Sequence, residues 1–566
     1  MPTASEQSTR TPSALDALAD RYVDAVAAAD PFSATALGVP GHDHEVTDYS
    51  PEGFAARTDL ARDLLRAIRE VPDADHTDTI TRAALEERLG LEIERAERRL
   101  DQAEVNNLAS VLQSRDVLDL MPAETADDWD VLSERMAAFP HALRGWARTL
   151  REAAADGVRS SRRQLLLGAE QARGYAAEGG FFDTFASEAA GDDAQRERAH
   201  TAARTAADAY RELADVLDEL AADAPARDAL GREDYPLASQ TFLGDRIDID
   251  DTYAWGVDQL RAIIDEQEQV AERINARYGT GAGRSVAAAR EALTADPDRV
   301  LHGTDALQAW MQELSDRAIA QLADVHFDIP EPLRALECRI ARTGSGGIYY
   351  TGPSEDLTRP GRMWWDVPAE QNEFRTWSET TTVYHEGVPG HHLQVGTQTL
   401  QASALNRWRA MMCWTSGHGE GWALYAERLM EQLGYLDDDG DRLGMLDAQR
   451  MRAGRVVLDI GLHNELSMPT DLPGSRGGAW TYESAWEFMA EHWNDPEPLR
   501  RFELHRYLGW PGQAPSYRIG QRVWEQLRDT ALARGGEDRE ATLRDFHRRA
   551  LELGGLPLAV LRDALA

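Results

Sequence analysis

The sequence predicts a large, mainly α-helical protein with one small β-sheet in its second half. Most of the chain carries apolar residues at three- and four-residue intervals, which is the period of a helix with one buried face. Between residues 336 and 367 the period changes to short runs rich in β-branched and aromatic residues, separated by Gly and Pro. A chain of 566 residues is long enough for two or three folding units or for one large elongated domain.

The N-terminal part is predicted to be a succession of helices that forms a wall of the binding site, at 13–29, 54–68, 80–100 and 202–220. A passage rich in Pro and Gly at 231–236 indicates a boundary. We therefore divide the chain into an N-terminal helical region, 1–235, and a catalytic region, 236–566.

The second region begins with helices predicted at 251–277, 286–293 and 304–322. Three short strands are expected next, at 336–341, 347–351 and 362–367. The chain then returns to helices, at 379–388, 420–433, 443–463, 481–493, 499–508 and 516–534. The small sheet therefore directly precedes the main motif.

Composition excludes several classes of partner. The formal net charge is −38, and all 60 residues counted as Lys or Arg are arginine. Such an acidic surface repels nucleic-acid phosphates and anionic membranes, so we expect neither as a partner. A GC-rich genome explains this bias, and adaptation to a salt-rich cytoplasm is the open alternative. The N-terminus lacks the apolar stretch of a secretory signal, and Cys338 and Cys413 fit no redox spacing, so a cytoplasmic location is expected.

The motif that indicates chemistry is Y-H-E-G-V-P-G-H-H, at 384–392. In the related H-E-x-x-H arrangement, two histidines on one helix face bind zinc and the Glu is the general base. Here the spacing is stretched: on an ideal helix His391 lies about 240° round from His385, and His392 about 10 Å further along the axis. The intervening Pro-Gly pair predicts that the helix bulges or breaks. If two residues are absorbed, His391 is the second ligand; if three are absorbed, it is His392.

A third ligand is predicted in the segment 417–427. Glu420 begins a strong helix about 30 residues after the histidines, and its carboxylate completes a His, His, Glu set with a fourth position open for water. Glu427, two turns later on nearly the same face, suits a role in orienting a histidine. The plainer alternative is that the Pro-Gly pair merely ends a polar helix and that both glutamates only favour their helix dipole or a solvated face.

These motifs resemble a known family, the bacterial proteins grouped as domain of unknown function 885. That family is similar to a clan of zinc metallopeptidases that includes thimet-oligopeptidase-like and helical carboxypeptidase enzymes. The resemblance implies a metallopeptidase-like fold and favours His391 as second ligand, since in the helical carboxypeptidases that histidine follows a glycine. It is specific across about 340–525, where the matching segments lie at 348–350, 359–361, 384–394, 420–427, 459–463, 506–507 and 511–517.

The predicted centre therefore holds Zn²⁺ on His385, His391 and Glu420, with Glu386 as general base. Two further catalytic candidates would stabilise the oxyanion of the intermediate: Tyr517 and then His463. For both, the alternative is an ordinary structural role.

Two residues are candidates for substrate binding. Arg506 could hold a substrate carboxylate, although pairing with Glu503 one turn back is the stronger alternative. Tyr350, in the predicted sheet, is a candidate subsite wall, and aromatic core packing is its alternative. The run 345–347 would allow a substrate strand to approach the sheet closely.

The predicted function is zinc-dependent hydrolysis of peptide bonds in short peptides, of carboxypeptidase or oligopeptidase type. The sequence alone does not choose between exo- and endo-cleavage, and it sets no oligomeric state. One alternative is hydrolysis of a non-peptide amide or isopeptide bond. The other is a degenerate peptidase that binds peptides without cutting them.

Overall fold

The computed structural model describes residues 10–341, 347–354, 356–368 and 370–566. Its first part is built from nine helices and one 3-10 segment, Val111–Leu120. The helices are α1 Ala14–Ala29, α2 Pro31–Leu37, α3 Pro51–Ile68, α4 His76–Glu97, α5 Leu100–Ala103, α6 Ala126–Ala155, α7 Arg162–Tyr175, α8 Phe181–Ser187 and α9 Asp193–Ala222. Each of the four helices predicted here is present. The predicted ends at 29 and 68 are matched, and the other boundaries differ by between one and nine residues.

The second part contains the remaining helices and all the described strands. Four helices come first: α10 Tyr235–Leu243, α11 Ile249–Tyr278, α12 Val286–Ala295 and α13 Thr304–Leu322. The strands are β1 Val300–His302, β2 Leu336–Ala341, β3 Ile348–Thr351, β4 Gly361–Asp366 and β5 Glu373–Arg375. Ten helices follow: α14 Thr376–Glu386, α15 His391–Leu400, α16 Arg407–Met411, α17 Ser416–Gln432, α18 Asp439–His463, α19 Tyr482–His492, α20 Glu497–Gly509, α21 Ser516–Arg534, α22 Arg539–Glu552 and α23 Leu558–Leu565.

The three predicted strands form one sheet in the order β2-β4-β3. Strands β2 and β4 pair in parallel, whereas β3 and β4 pair antiparallel. An additional antiparallel pair, β1 with β5, was not predicted. Side chains of Met363 and Leu336 line the loop after α14, so the sheet lies beside the principal motif. Part of the run 345–347, residues 345 and 346, lies outside the described residues.

Two hydrophobic cores organise the described chain. One is formed by the helical layer α6–α9 with the 3-10 segment before it. The other joins α1, α3 and α4 to α10–α23 and to the sheets. The first four helices thus share a core with elements beyond residue 235, largely through α1, α3 and α4, and the division into 1–235 and 236–566 stays a prediction. Within the described residues, no helix is both long and apolar enough to cross a bilayer.

The main motif is a helix break, as its Pro-Gly pair predicts. Helix α14 ends at Glu386, two residues before the predicted end, where the Gly387 amide donates to the Val383 carbonyl. After four intervening residues α15 begins at His391, and the Gly390 amide donates back to the Tyr384 carbonyl at 3.1 Å. Pro389 has no amide hydrogen to donate to the His385 carbonyl, so a regular helix cannot continue through this loop. The Val388–Pro389 peptide bond in this loop is cis.

Gly390 is required where it stands, because a Cβ on it would overlap the carbonyl oxygen of His385. We expect Gly390→Ala to lower the free energy of unfolding by about 2 kcal/mol or more, since the backbone must shift. The matched control is Gly90→Ala in α4, where nothing lies within 4 Å of an added Cβ. That change should stabilise by ~0.5–1 kcal/mol. Thermal unfolding followed by circular dichroism measures both, and equal midpoints for the two variants would contradict the account.

Candidate metal centre

The first histidine of the motif is fixed by carboxylate support. His385 lies in the last turn of α14 and is buried. Its Nδ1 lies 2.8 Å from Glu427 Oε1, and the other oxygen of Glu427 accepts a hydrogen bond from the Thr381 hydroxyl at 2.8 Å. A carboxylate on Nδ1 orients the ring and leaves Nε2 facing the site, which is the usual support for a metal-binding histidine.

The second histidine is brought back to the first by the break. His391 begins α15, and its ring centre lies 4.9 Å from that of His385, with the two ring planes at 90°. Its Nε2 faces Glu420, while its Nδ1 is buried without a hydrogen-bond partner in the described structure. His391 therefore faces the same point as His385 but lacks the carboxylate support that His385 has.

The third donor is positioned by a close helix crossing. In α17, Gly417 and Gly421 flank Glu420, and Gly520 of α21 lies against both of them. A Cβ on Gly421 would come within 2.5 Å of the Gly520 backbone carbon. Since none of the three glycines has a side chain, the helix backbones can touch. Glu420 of α17 and Tyr517 of α21 each lie three residues or fewer from a glycine of this crossing, and the charge of Glu420 acts on the Tyr517 phenol.

His392 points away from this cluster. Its Nε2–H donates to the Leu333 carbonyl at 2.9 Å, so its Nδ1 accepts from the Tyr350 hydroxyl at 2.9 Å. Burial also lowers the pKa of His392 to about 4. Both ring nitrogens are occupied, so of the two alternatives for the second ligand the geometry favours His391. The Tyr350 hydroxyl is therefore engaged with His392, so it has a structural partner.

The carboxylates of the cluster are neutralised by a protonated histidine. Burial alone would lower the pKa of His385, but hydrogen bonds to Glu420 and Glu427 raise it to about 10. Burial would raise the pKa of Glu420, yet His385 and His391 hold it well below its usual value. The pKa of Glu427 is also lowered, because the His385 hydrogen bond and nearby cations outweigh burial. At neutral pH a protonated His385 therefore lies between two carboxylates.

The donor set fits a zinc ion. One ligand atom each from His385, His391 and Glu420 all lie within 4.8 Å of one another. With zinc–ligand bonds of about 2.0–2.1 Å, neighbouring ligands of a tetrahedral site are about 3.3 Å apart. The carboxylate Oε2 of Glu420 lies 3.3 Å from His385 Nε2 and 3.7 Å from His391 Nε2. Two imidazoles and one carboxylate are also the donors of a catalytic zinc site that keeps one position open.

Glu386 lies beside the cluster, and its carboxylate has no partner among the described residues. It is 7% exposed and, within the described chain, makes no hydrogen bond or ion pair. Burial raises its pKa, against the charges of His391 and His385. A general base works best when its pKa lies near the working pH, so this shift has the direction that base catalysis needs.

The hydroxyl of Tyr517 is also without a partner among the described residues. Its hydroxyl has no hydrogen bond within the described residues, and Arg455 lies over its ring, with the guanidinium carbon 5.1 Å from the ring centre. Burial, together with the charge of Glu420, raises its pKa, so the phenol keeps its proton at neutral pH. A protonated phenol beside the cluster can donate a hydrogen bond to a developing oxyanion.

Two other predicted site residues are occupied elsewhere. His463 Nε2–H donates to the Tyr507 carbonyl at 2.9 Å, and its Nδ1 accepts from the Leu230 amide at 3.3 Å. Neither ring nitrogen is left for a substrate. Arg506 pairs with Glu503 at 2.9 Å and also donates to the Gln513 side chain. The pair with Glu503 is the alternative expected from the spacing of one turn between these two residues.

Sequence reasoning missed two residues of this neighbourhood. Thr381 lies one turn before His385 in α14 and holds Glu427. Arg452 lies in α18, and its charge acts on Glu386 and Glu427. Thr381 could have been found from its four-residue spacing to His385. Arg452 could not, because only the folded chain brings α18 to the motif.

Solved structures share this fold. A crystal structure described as "the putative lipoprotein from Colwellia psychrerythraea" superposes with a TM-score of 0.81 at 24% identity, over 97% of this chain and 98% of that one. A second, "a putative lipoprotein of unknown function from Shewanella oneidensis", has a TM-score of 0.73 at 16% identity, over 98% and 99%. At these identities the likeness shows the fold alone.

Sequence comparison adds the family. No curated protein matches the sequence. The family described as "Bacterial protein of unknown function (DUF885)" matches residues 31–565, so the prediction of that family is confirmed and the chain belongs to it.

Proposed function

We propose that this protein is a zinc-dependent hydrolase that cleaves peptide bonds in short peptides, of carboxypeptidase or oligopeptidase type. The observation that carries the proposal is the convergence of His385, His391 and Glu420, with Glu386 free beside them. The resemblance of the H-E-G-V-P-G-H-H and E-G-W-A-L-Y-A-E segments to a clan of zinc metallopeptidases supports the same chemistry. The cytoplasm is the proposed compartment, and peptides or small amides are the proposed partners.

In this proposal, His385, His391 and Glu420 would hold a zinc ion, which would supply the Lewis acid needed to activate a water molecule and polarise the scissile carbonyl. Glu386 takes a proton from the attacking water and later returns one to the leaving nitrogen as the C–N bond breaks. Tyr517 donates its hydroxyl hydrogen to the oxyanion. Glu427, held by Thr381, keeps the His385 ring in place.

Glu386→Gln tests the general base. Loss of a positioned base lowers the rate by about 10²- to 10⁴-fold, so we expect kcat on a reactive peptide to fall by that factor. Zinc content, measured by mass spectrometry of the metal, should stay near one per chain because Glu386 is not a ligand. Glu373→Gln, at an exposed glutamate of β5, is the control and should keep full activity. Full activity in Glu386→Gln would remove Glu386 from the mechanism.

Glu427→Gln tests the support of His385. Loss of such a carboxylate costs about 10- to 100-fold in metal affinity. We expect the zinc dissociation constant, measured by competition with a chromophoric chelator, to rise by that factor, with a smaller rise in Thr381→Val. The matched control is Glu483→Gln, at an exposed glutamate of α19. An unchanged zinc affinity in Glu427→Gln would show that this contact does not serve a metal.

A further inference from the structure

Arg452 is a cation beside the candidate centre without an anionic partner in the described chain. Its Nη1 donates to the Ala448 carbonyl of its own helix at 3.3 Å, and its Nε is buried with no hydrogen-bond partner. Most arginines of this acidic protein form an ion pair with Asp or Glu, as the neighbouring Arg442 and Arg455 do. A partly buried guanidinium that lacks such a pair has unused capacity for an anion.

Arg452 lies near the catalytic candidates. Its guanidinium carbon lies 6.0 Å from the centre of the Tyr517 ring. Burial favours a higher pKa for both Glu386 and Glu427, and the charge of Arg452 acts in the opposite direction on both; for Glu427 the net shift of the pKa is downward. Arg452 therefore lies within electrostatic reach of the general base, of the glutamate behind His385 and of the proposed oxyanion donor.

The neighbouring cations are already neutralised. Arg455 and Arg506 bind the two oxygens of one carboxylate, Glu503, each at 2.9 Å. Asp495 lies near Arg455 and Arg452 but forms no ion pair with them within the described residues, and burial raises its pKa. Of these three guanidinium groups, Arg455 and Arg506 are paired with Glu503, and Arg452 forms no ion pair within the described residues.

Building on the proposed hydrolase function, we infer that Arg452 binds the C-terminal carboxylate of the peptide substrate, which makes the enzyme a carboxypeptidase. A guanidinium matches a carboxylate with two parallel hydrogen bonds, and a partly buried setting strengthens the pair. The Arg452 guanidinium carbon lies 6.0 Å from the Tyr517 ring centre, and an extended chain spans about 3.3–3.6 Å per residue. Only one or two residues therefore fit between an anchor at Arg452 and a carbonyl bound by Tyr517. Peptides without a free carboxylate leave the guanidinium unpaired.

The test compares one peptide with its C-terminal amide. A hydrogen-bonded charge pair contributes about 10- to 100-fold in binding, so zinc-loaded wild type should have kcat/KM higher by that factor for the free acid. Arg452→Gln should lose this preference: cleavage of the acid should slow by more than cleavage of the amide, so that the ratio of the two kcat/KM values falls towards one. Arg452→Lys, which keeps the charge without the planar fork, should retain part of it. Arg476→Gln, at an exposed arginine, is the control and should behave as wild type.

Binding measured without turnover separates this inference from the proposed function. In the Glu386→Gln background, titration calorimetry should give tighter binding of the acid than of the amide, and Arg452→Gln should abolish the difference. Equal cleavage of acid and amide by wild type, or equal binding, would overturn the role of Arg452 while leaving the hydrolase proposal standing. Absence of cleavage of every peptide and amide would overturn the hydrolase proposal itself, and the binding comparison would still test Arg452. Circular dichroism checks that each variant is folded.

Discussion

The candidate centre depends on the reversal of the chain between Glu386 and His391. A continuous helix would hold the two histidines on different faces, whereas the break brings their ring centres to 4.9 Å. The same loop is tied to the helix of the third donor, because the Trp422 indole nitrogen donates to the carbonyls of Pro389 and Gly390 at 2.9 and 3.2 Å. Trp422 follows Glu420 by two residues in α17. One tertiary contact therefore fixes both halves of the donor set.

The negative charge of the buried carboxylates explains why a cation would be stable at the candidate centre. Glu386 and Glu427 are buried and Glu420 is partly buried, and such charges are costly unless they are paired. Without a metal the compensation comes from histidine, since the pKa of His385 is raised to about 10. A divalent cation would take over that compensation and displace the proton, which couples metal binding to proton release. Arg452 supplies further positive charge, which acts on Glu386.

Much of this arrangement was predictable from local patterns. Strand β2 and helices α13 and α21 have the predicted bounds, since hydrophobic period and Gly or Pro punctuation act locally. The break after α14 followed from the missing amide of proline. The features that could not be predicted depend on contacts between residues far apart in the sequence. His463 is held by Leu230 and Tyr507, and the free state of Arg452 is visible only once every acidic neighbour has its place. The choice between His391 and His392 likewise needed the Leu333 carbonyl.

The central claim is that side chains from either side of the break meet on one cation. The most direct measurement is a crystal structure of the protein soaked in zinc, with anomalous diffraction recorded on both sides of the zinc absorption edge. The account predicts a single strong anomalous peak bonded to His385 Nε2, His391 Nε2 and Glu420, at about 2.0–2.2 Å. A fully soaked crystal with no peak there, or with zinc bound through His392 instead, would contradict it.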